Sequence, residues 1–167
     1  MKIMYTDAEL EQLLSDIEAD NVERKETYKG DVPNKAKQAI CAFANDMPDH
    51  KTPGVLFIGA KDDGTPSNYE ITDELLRNLA DIKTNGQILP MPAMTVEKKI
   101  LRGVPMAVVT VMPSDMPPVK YDGRIWIRTG SRRALPNVQE ERILNEKRRY
   151  KDIPFDINPV PSSCLSD

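Results

Sequence analysis

Aromatic residues are scarce in this chain, at 5% of 167 residues, and so are cysteine and histidine, with two and one respectively. Cys41 and Cys164 are too few for a disulfide framework and make no metal-binding spacing. The lone histidine, His50, stands in a polar stretch, which argues against a histidine-based triad or a histidine-rich metal site. No apolar run approaches the roughly 18 residues that a membrane helix needs. The opening, MKIMYTDAELEQ, turns acidic too early for a signal peptide. A cytoplasmic protein without a membrane partner is the expectation. A phosphate-binding loop is missing as well. Gly59 and Gly64 have its glycine spacing, but Thr65-Pro66 stands where Lys-Ser/Thr is required, and two aspartates lie between the glycines.

Charge is abundant, at 29% of residues, and unevenly placed. Residues 120–151 hold ten Lys/Arg against four acids, so this segment carries +6 while the rest carries −9. An acidic body with a basic C-terminal third suits an anionic partner docking on one face. It equally suits a solvated helix whose charges pair locally.

The periodicity predicts an α+β chain folding as a single compact domain, with a mixed sheet, a central buried strand, a hairpin and about four helices. Thr6 and Glu9 form a capping-box signature ahead of Leu10, Leu13, Leu14 and Ile17, so 7–19 reads as an amphipathic helix. An extended piece follows over 22–28. A second helix has Pro33 in its first turn and Ala36, Ala39, Ile40, Phe43 and Ala44 on its apolar face. The run Val55–Ala60 is continuously apolar, as in a strand buried on both sides. A third helix is expected over 72–82, and a hairpin over 94–101 and 104–112 around Arg102-Gly103. Arg124–Arg128 alternates as a strand, and 137–150 reads as a basic-tipped helix. The stretch 151–167, with Pro154, Pro159 and Pro161, reads as a linker or docking arm leading to a further C-terminal region.

Three features bear on function. In GRIWIRTGSRR, Arg124, Trp126 and Arg128 fall on one strand face, and Arg132 and Arg133 follow the loop. Such a face can grip phosphates and stack a base. Alternatively, Trp126 packs inward and the arginines pair with Glu140 and Glu141. Asp62 and Asp63 leave the end of the buried strand, where ligands gather in α/β sheets. Together with Glu18 and Glu23 they could hold Mg²⁺ or Mn²⁺, since hard cations prefer oxygen. Asp-Asp-Gly is also an ordinary turn. Asn45, near the end of its helix, is a candidate cap or ligand contact.

Four words in order, Glu23-Arg-Lys25, Ala39–Asn45, Leu56–Gly59 with Asp62-Asp-Gly64, and Arg124–Gly130, resemble the Schlafen-type Alba-like domain, a divergent Alba-like DNA-binding domain. The resemblance spans roughly residues 15–150, and the domain is taken as 1–150. Asn85–Pro90, the Arg-rich helix and Pro154–Asp156 look like a bacterial subgroup, in which the domain heads a transcriptional-regulator-like protein with an ATP-binding or helix-turn-helix part. The resemblance implies a nucleic-acid-binding module, for DNA or RNA, with Lys25, Arg124, Trp126, Arg128, Arg132 and Arg133 as contacts. It also implies, as the alternative, a metal-dependent endoribonuclease in which Glu18, Glu23 and Asp62 bind Mg²⁺ or Mn²⁺, with Asp63 as a substitute. Nuclease members build their clamp from two modules, so a homodimer is expected to supply the second.

Overall fold

The computed structural model describes residues 4–152. The first helix, α1 (Asp7–Ser15), carries the expected capping box: the Glu9 amide donates to Thr6 Oγ1 at 3.2 Å, and the Thr6 amide donates to Glu9 Oε1 at 2.8 Å. The helix stops four residues short of expectation, so Ile17 and Glu18 lie in a turn. The cause comes from outside the helix. The Arg24 guanidinium donates to the carbonyls of Leu13 at 3.0 Å, Leu14 at 2.8 Å and Asp16 at 2.7 Å, closing the helix end with a cation where the helix dipole favours one.

Next come β1 (Val22–Lys25), α2 (Val32–Asn45), β2 (Gly54–Ile58) and α3 (Asp73–Asp81). β1 and β2 run parallel, joined by α2, with Val22 opposite Val55 and Lys25 opposite Ile58. The expected hairpin forms as β4 (Met94–Leu101) and β5 (Val104–Val111), after a two-residue β3 (Ile88–Leu89). Its turn, Arg102-Gly103, has φ of 53° and 76°, the left-handed pair of a two-residue hairpin loop. β5 pairs antiparallel with β2, giving a mixed sheet in the order β1-β2-β5-β4.

The two faces of this sheet hold separate cores. Val22, Val55, Phe57, Met106 and Val108 pack with Leu10 and Leu14 of α1. Leu56, Ile58, Ala107, Val109 and Val111 pack with α2 and α3. β2 faces both cores, and all five of its residues are buried, hence its unbroken apolar run. Gly54 has to be glycine, since a Cβ there would lie 2.2 Å from Cγ of Phe43.

Beyond this sheet lie β6 (Lys120–Tyr121), β7 (Arg124–Ile125), β8 (Ile127–Thr129), β9 (Arg132–Ala134) and α4 (Val138–Asp152). The expected continuous strand 124–128 is two strands. β7 joins a small sheet ordered β3-β6-β7, whereas β8 pairs with β9 as a hairpin around Gly130-Ser131. Asn45 makes the break. Its Nδ2 donates to the carbonyls of Trp126 at 2.7 Å and Val119 at 3.0 Å, and its Oδ1 accepts the Val119 amide at 2.6 Å. Buried at the end of α2, Asn45 is neither cap nor open ligand contact. It clamps two later segments to the helix, while Asp46 in the left-handed region terminates α2. The remainder of the 151–167 expectation, beyond Asp152, lies outside the described residues. Among the described residues no helix is long and apolar enough to cross a membrane.

Candidate functional site

Strand alternation divides the word Glu23-Arg24-Lys25. Arg24 faces α1, whereas Glu23 and Lys25 face the side of α2. Glu23 is buried, and three cations meet on its carboxylate. Arg128 Nη1 bonds Oε1, while Lys25 Nζ at 3.1 Å and Arg133 Nε at 3.2 Å share Oε2. Arg128 and Arg133 are directly opposite each other across the β8–β9 hairpin. Like charges in that position repel, and Glu23 is the anion that holds them together.

The cations differ in access. The Arg128 side chain is 2% exposed, against 17% for Lys25 and 20% for Arg133. Arg128 also donates to the carbonyls of Asp20 at 3.1 Å and Val22 at 2.6 Å, and its guanidinium lies 5.3 Å from the Phe43 ring centre. Burial lowers its pKa from the ordinary arginine value, opposed by the neighbouring Glu23. Arg133 is steadied from α2, where Gln38 Oε1 accepts from its Nη1 at 2.7 Å. Three cations against one carboxylate leave the cluster with +2, and its open edge is Lys25 and Arg133. Arg132 and the turn Gly130-Ser131 are exposed on the same hairpin.

The residues expected on one strand face are therefore separated. Arg124 is exposed on β7, Trp126 is half-buried against the core around α2, and Arg128 points inward. Gln38, Phe43 and Asn45 hold the site in place, and of these the sequence singles out Asn45 alone, as a cap or ligand contact. One signal was available: Thr-Gly-Ser-Arg is a two-residue hairpin turn with its flanks, and pairing across it sets Arg128 against Arg133.

The structure does not bring the expected carboxylate trio together. Glu18 is exposed in the turn after α1, where its amide donates to Asp16 Oδ1 at 3.1 Å. Asp62 is exposed and acts electrostatically, with Asp16 and Asp63, on Arg24, on the α1 side of β1. Glu23 faces the other way with both oxygens taken by cations. Among the described residues no group of three His, Cys, Asp or Glu side chains is arranged to hold a metal ion. This donor set therefore does not fit Mg²⁺ or Mn²⁺. Asp63 closes its own turn instead. Its Oδ1 accepts the Thr65 hydroxyl at 2.6 Å and the Thr65 amide at 3.0 Å, and these bonds hold its carboxyl below the usual aspartate range. Gly64 completes the turn with φ of 88°, and a Cβ there would stand 2.3 Å from the Leu14 carbonyl oxygen. The acidic turn is fitted to the end of α1, which explains its place after β2.

The family model described as Schlafen, AlbA_2 matches residues 18–137. The crystal structure of the DIP2311 protein from Corynebacterium diphtheriae is similar in fold, with a TM-score of 0.54 and 19% identity over 78% of this chain. This chain spans 26% of that one. The N-terminal domain of a RecG-related protein from Nitrosomonas europaea aligns with a TM-score of 0.49 and 20% identity, over 67% of this chain and 76% of that domain's chain. No curated protein matches the chain.

Proposed function

The chain belongs to the Schlafen AlbA_2 family, and on that premise we propose that it is a nucleic-acid-binding module that grips the phosphate backbone through the β8–β9 hairpin and the neighbouring end of β1. The observation that carries this reading is the +2 cluster around Glu23. A single buried carboxylate gathers three cations, and two of them, Lys25 and Arg133, remain partly open to solvent. Exposed Arg132 extends the charge along the same hairpin, and Arg124 is a separate exposed cation on β7. Arg128 serves from behind as the buried cation that locks the hairpin to Glu23. Trp126 supports the small sheet, and the part of its ring that stays open is available to the bound strand. A homodimer would present two such faces, and service in a transcriptional regulator accords with the subgroup features of the sequence.

Phosphate contacts release counterions, so log K falls with log salt by about 0.9 per phosphate neutralised on duplex DNA. The test is fluorescence anisotropy of a labelled duplex and a labelled RNA across a salt series. A steep slope is expected, and Arg132→Ala with Arg133→Ala should reduce it by about 1.8. An affinity indifferent to salt and to this double substitution overturns the reading. Sedimentation of the free protein tests the dimer.

A further inference from the structure

An open cavity of about 450 Å³ lies between the loop that leaves β1 and the loop that enters α3. Its volume is within the roughly 300–1,000 Å³ of small-molecule sites. Glu26, Lys29, Ser67, Tyr69, Glu70 and Thr72 contribute to its wall. Glu26 directly follows Lys25, so one wall of the cavity is one residue along the chain from the cluster. We propose that this cavity receives one unpaired nucleobase carrying an exocyclic amine, and hence that the module binds single strands in preference to duplex. The inference rests on the nucleic-acid reading above and names the form of nucleic acid that the site takes.

Its chemistry is unlike that of the cluster. Glu26 and Glu70 are both exposed, and two carboxylates beside an opening repel phosphate. The first turn of α3 adds Asp73 and Glu74. Lys29 offsets one of the two carboxylates and the wall keeps a net negative charge, so phosphate is drawn to Lys25, Arg132 and Arg133 and the cavity favours a group that donates hydrogen bonds. Carboxylates accept from amine-bearing base edges, as they do from the N4 amine of cytosine. The half-buried Tyr69 ring has the exposed Lys29 ammonium over one face, its Nζ 5.8 Å from the ring centre, so a base stacks there by displacing that side chain. The wall is preformed. Ser67 Oγ donates to the Glu26 carbonyl at 2.7 Å, and the Ser67 amide donates to the Gly59 carbonyl at 2.9 Å. The Gly59 amide in turn donates to the Lys25 carbonyl at 2.7 Å, so both loops are tied to the end of β1. A duplex hides the base edges that this cavity would read, whereas a single strand can turn one out.

The experiment measures anisotropy at one salt concentration with oligo(C), oligo(A) and oligo(U) of equal length and a duplex of that length. Oligo(C) and oligo(A) are expected to bind more tightly than oligo(U) and than the duplex. Tyr69→Ala should weaken single strands about tenfold and leave the duplex unchanged. Because Tyr69 also packs against the core, a second variant decides the matter if the first fails to fold. Glu26→Ala with Glu70→Ala, both exposed, should abolish the preference for amine-bearing bases over oligo(U). Equal binding of all four probes, indifferent to these substitutions but reduced by the Arg132/Arg133 pair, overturns the cavity assignment and leaves the nucleic-acid reading in place. Failure to bind any probe overturns both.

Discussion

The two faces of β1 contrast sharply, although three consecutive residues supply their charges. On the α1 face, Arg24 gives its guanidinium to three backbone carbonyls, and the acidic turn 61–65 gathers beside it. Arg24 and Asp63 there have structural uses, and the surroundings are acidic. On the α2 face one carboxylate holds three cations, and the surplus positive charge faces outward. The same kind of residue thus finishes a helix on one side and builds a candidate binding edge on the other. What separates them is the count of opposite charges around each, and strand alternation alone puts each residue in its setting.

The largest effect expected from breaking this contrast is at Glu23. Glu23→Gln keeps the shape but leaves buried Arg128 opposite Arg133 without an anion. Removing one partner of a buried pair costs about 3–5 kcal/mol, so thermal or urea unfolding should reveal a severely weakened protein. An unchanged midpoint would mean that the cations do not depend on Glu23.

Alkaline pH should come second. Burial raises the Cys41 thiol from 9.0 to about 12 and the Tyr28 hydroxyl from 10.0 to about 12. Between the unfolded and folded values the native state binds more protons than the unfolded chain, so stability falls as pH rises from about 9 toward 12. The loss is on the order of 1 kcal/mol per pH unit for Cys41 and smaller for the half-buried Tyr28, where solvent screens the charge. Urea titrations over that range measure it, and a flat profile would contradict the burial of Cys41.

Arg24→Ala and Lys25→Ala sharpen the comparison between the faces. Arg24→Ala should cost about 1–2 kcal/mol through the lost bonds at the end of α1, and leave the salt slope of binding untouched. Lys25→Ala should change stability less and lower the slope by about 0.9. Interchanged results would assign the two faces the other way round. The smallest effect belongs to Asp62→Asn, an exposed position with no bond in the turn, where stability should stay within about 0.5 kcal/mol.

Much of the fold was legible because its signals are local. The capping box at Thr6, the apolar run of β2 and the Arg102-Gly103 turn each specify a conformation within a few residues. The helix cut short at Ser15 was not legible, since the cation that ends it is nine residues away on another strand. The division of 124–128 was hidden for the same reason: alternation fits one strand, but Asn45 takes the Trp126 carbonyl from a distant helix. The candidate site was half visible. Lys25, Arg132 and Arg133 could be marked as basic, but their common dependence on Glu23 could not. The resemblance that made Glu18, Glu23 and Asp62 a candidate metal trio says nothing about which face of β1 each one reaches.

By itself, the sequence determined the α+β class, the order of most elements, the central buried strand and the concentration of positive charge in the C-terminal third. These follow from periodicity, turn chemistry and composition, which act over a few residues at a time. Only the tertiary structure decided that Glu23 anchors cations, that Arg128 is buried while Arg133 stays partly open, and that the acidic turn completes α1. Those outcomes depend on which charges meet across the fold, and Coulomb attraction and desolvation act on distance in space, regardless of separation along the chain.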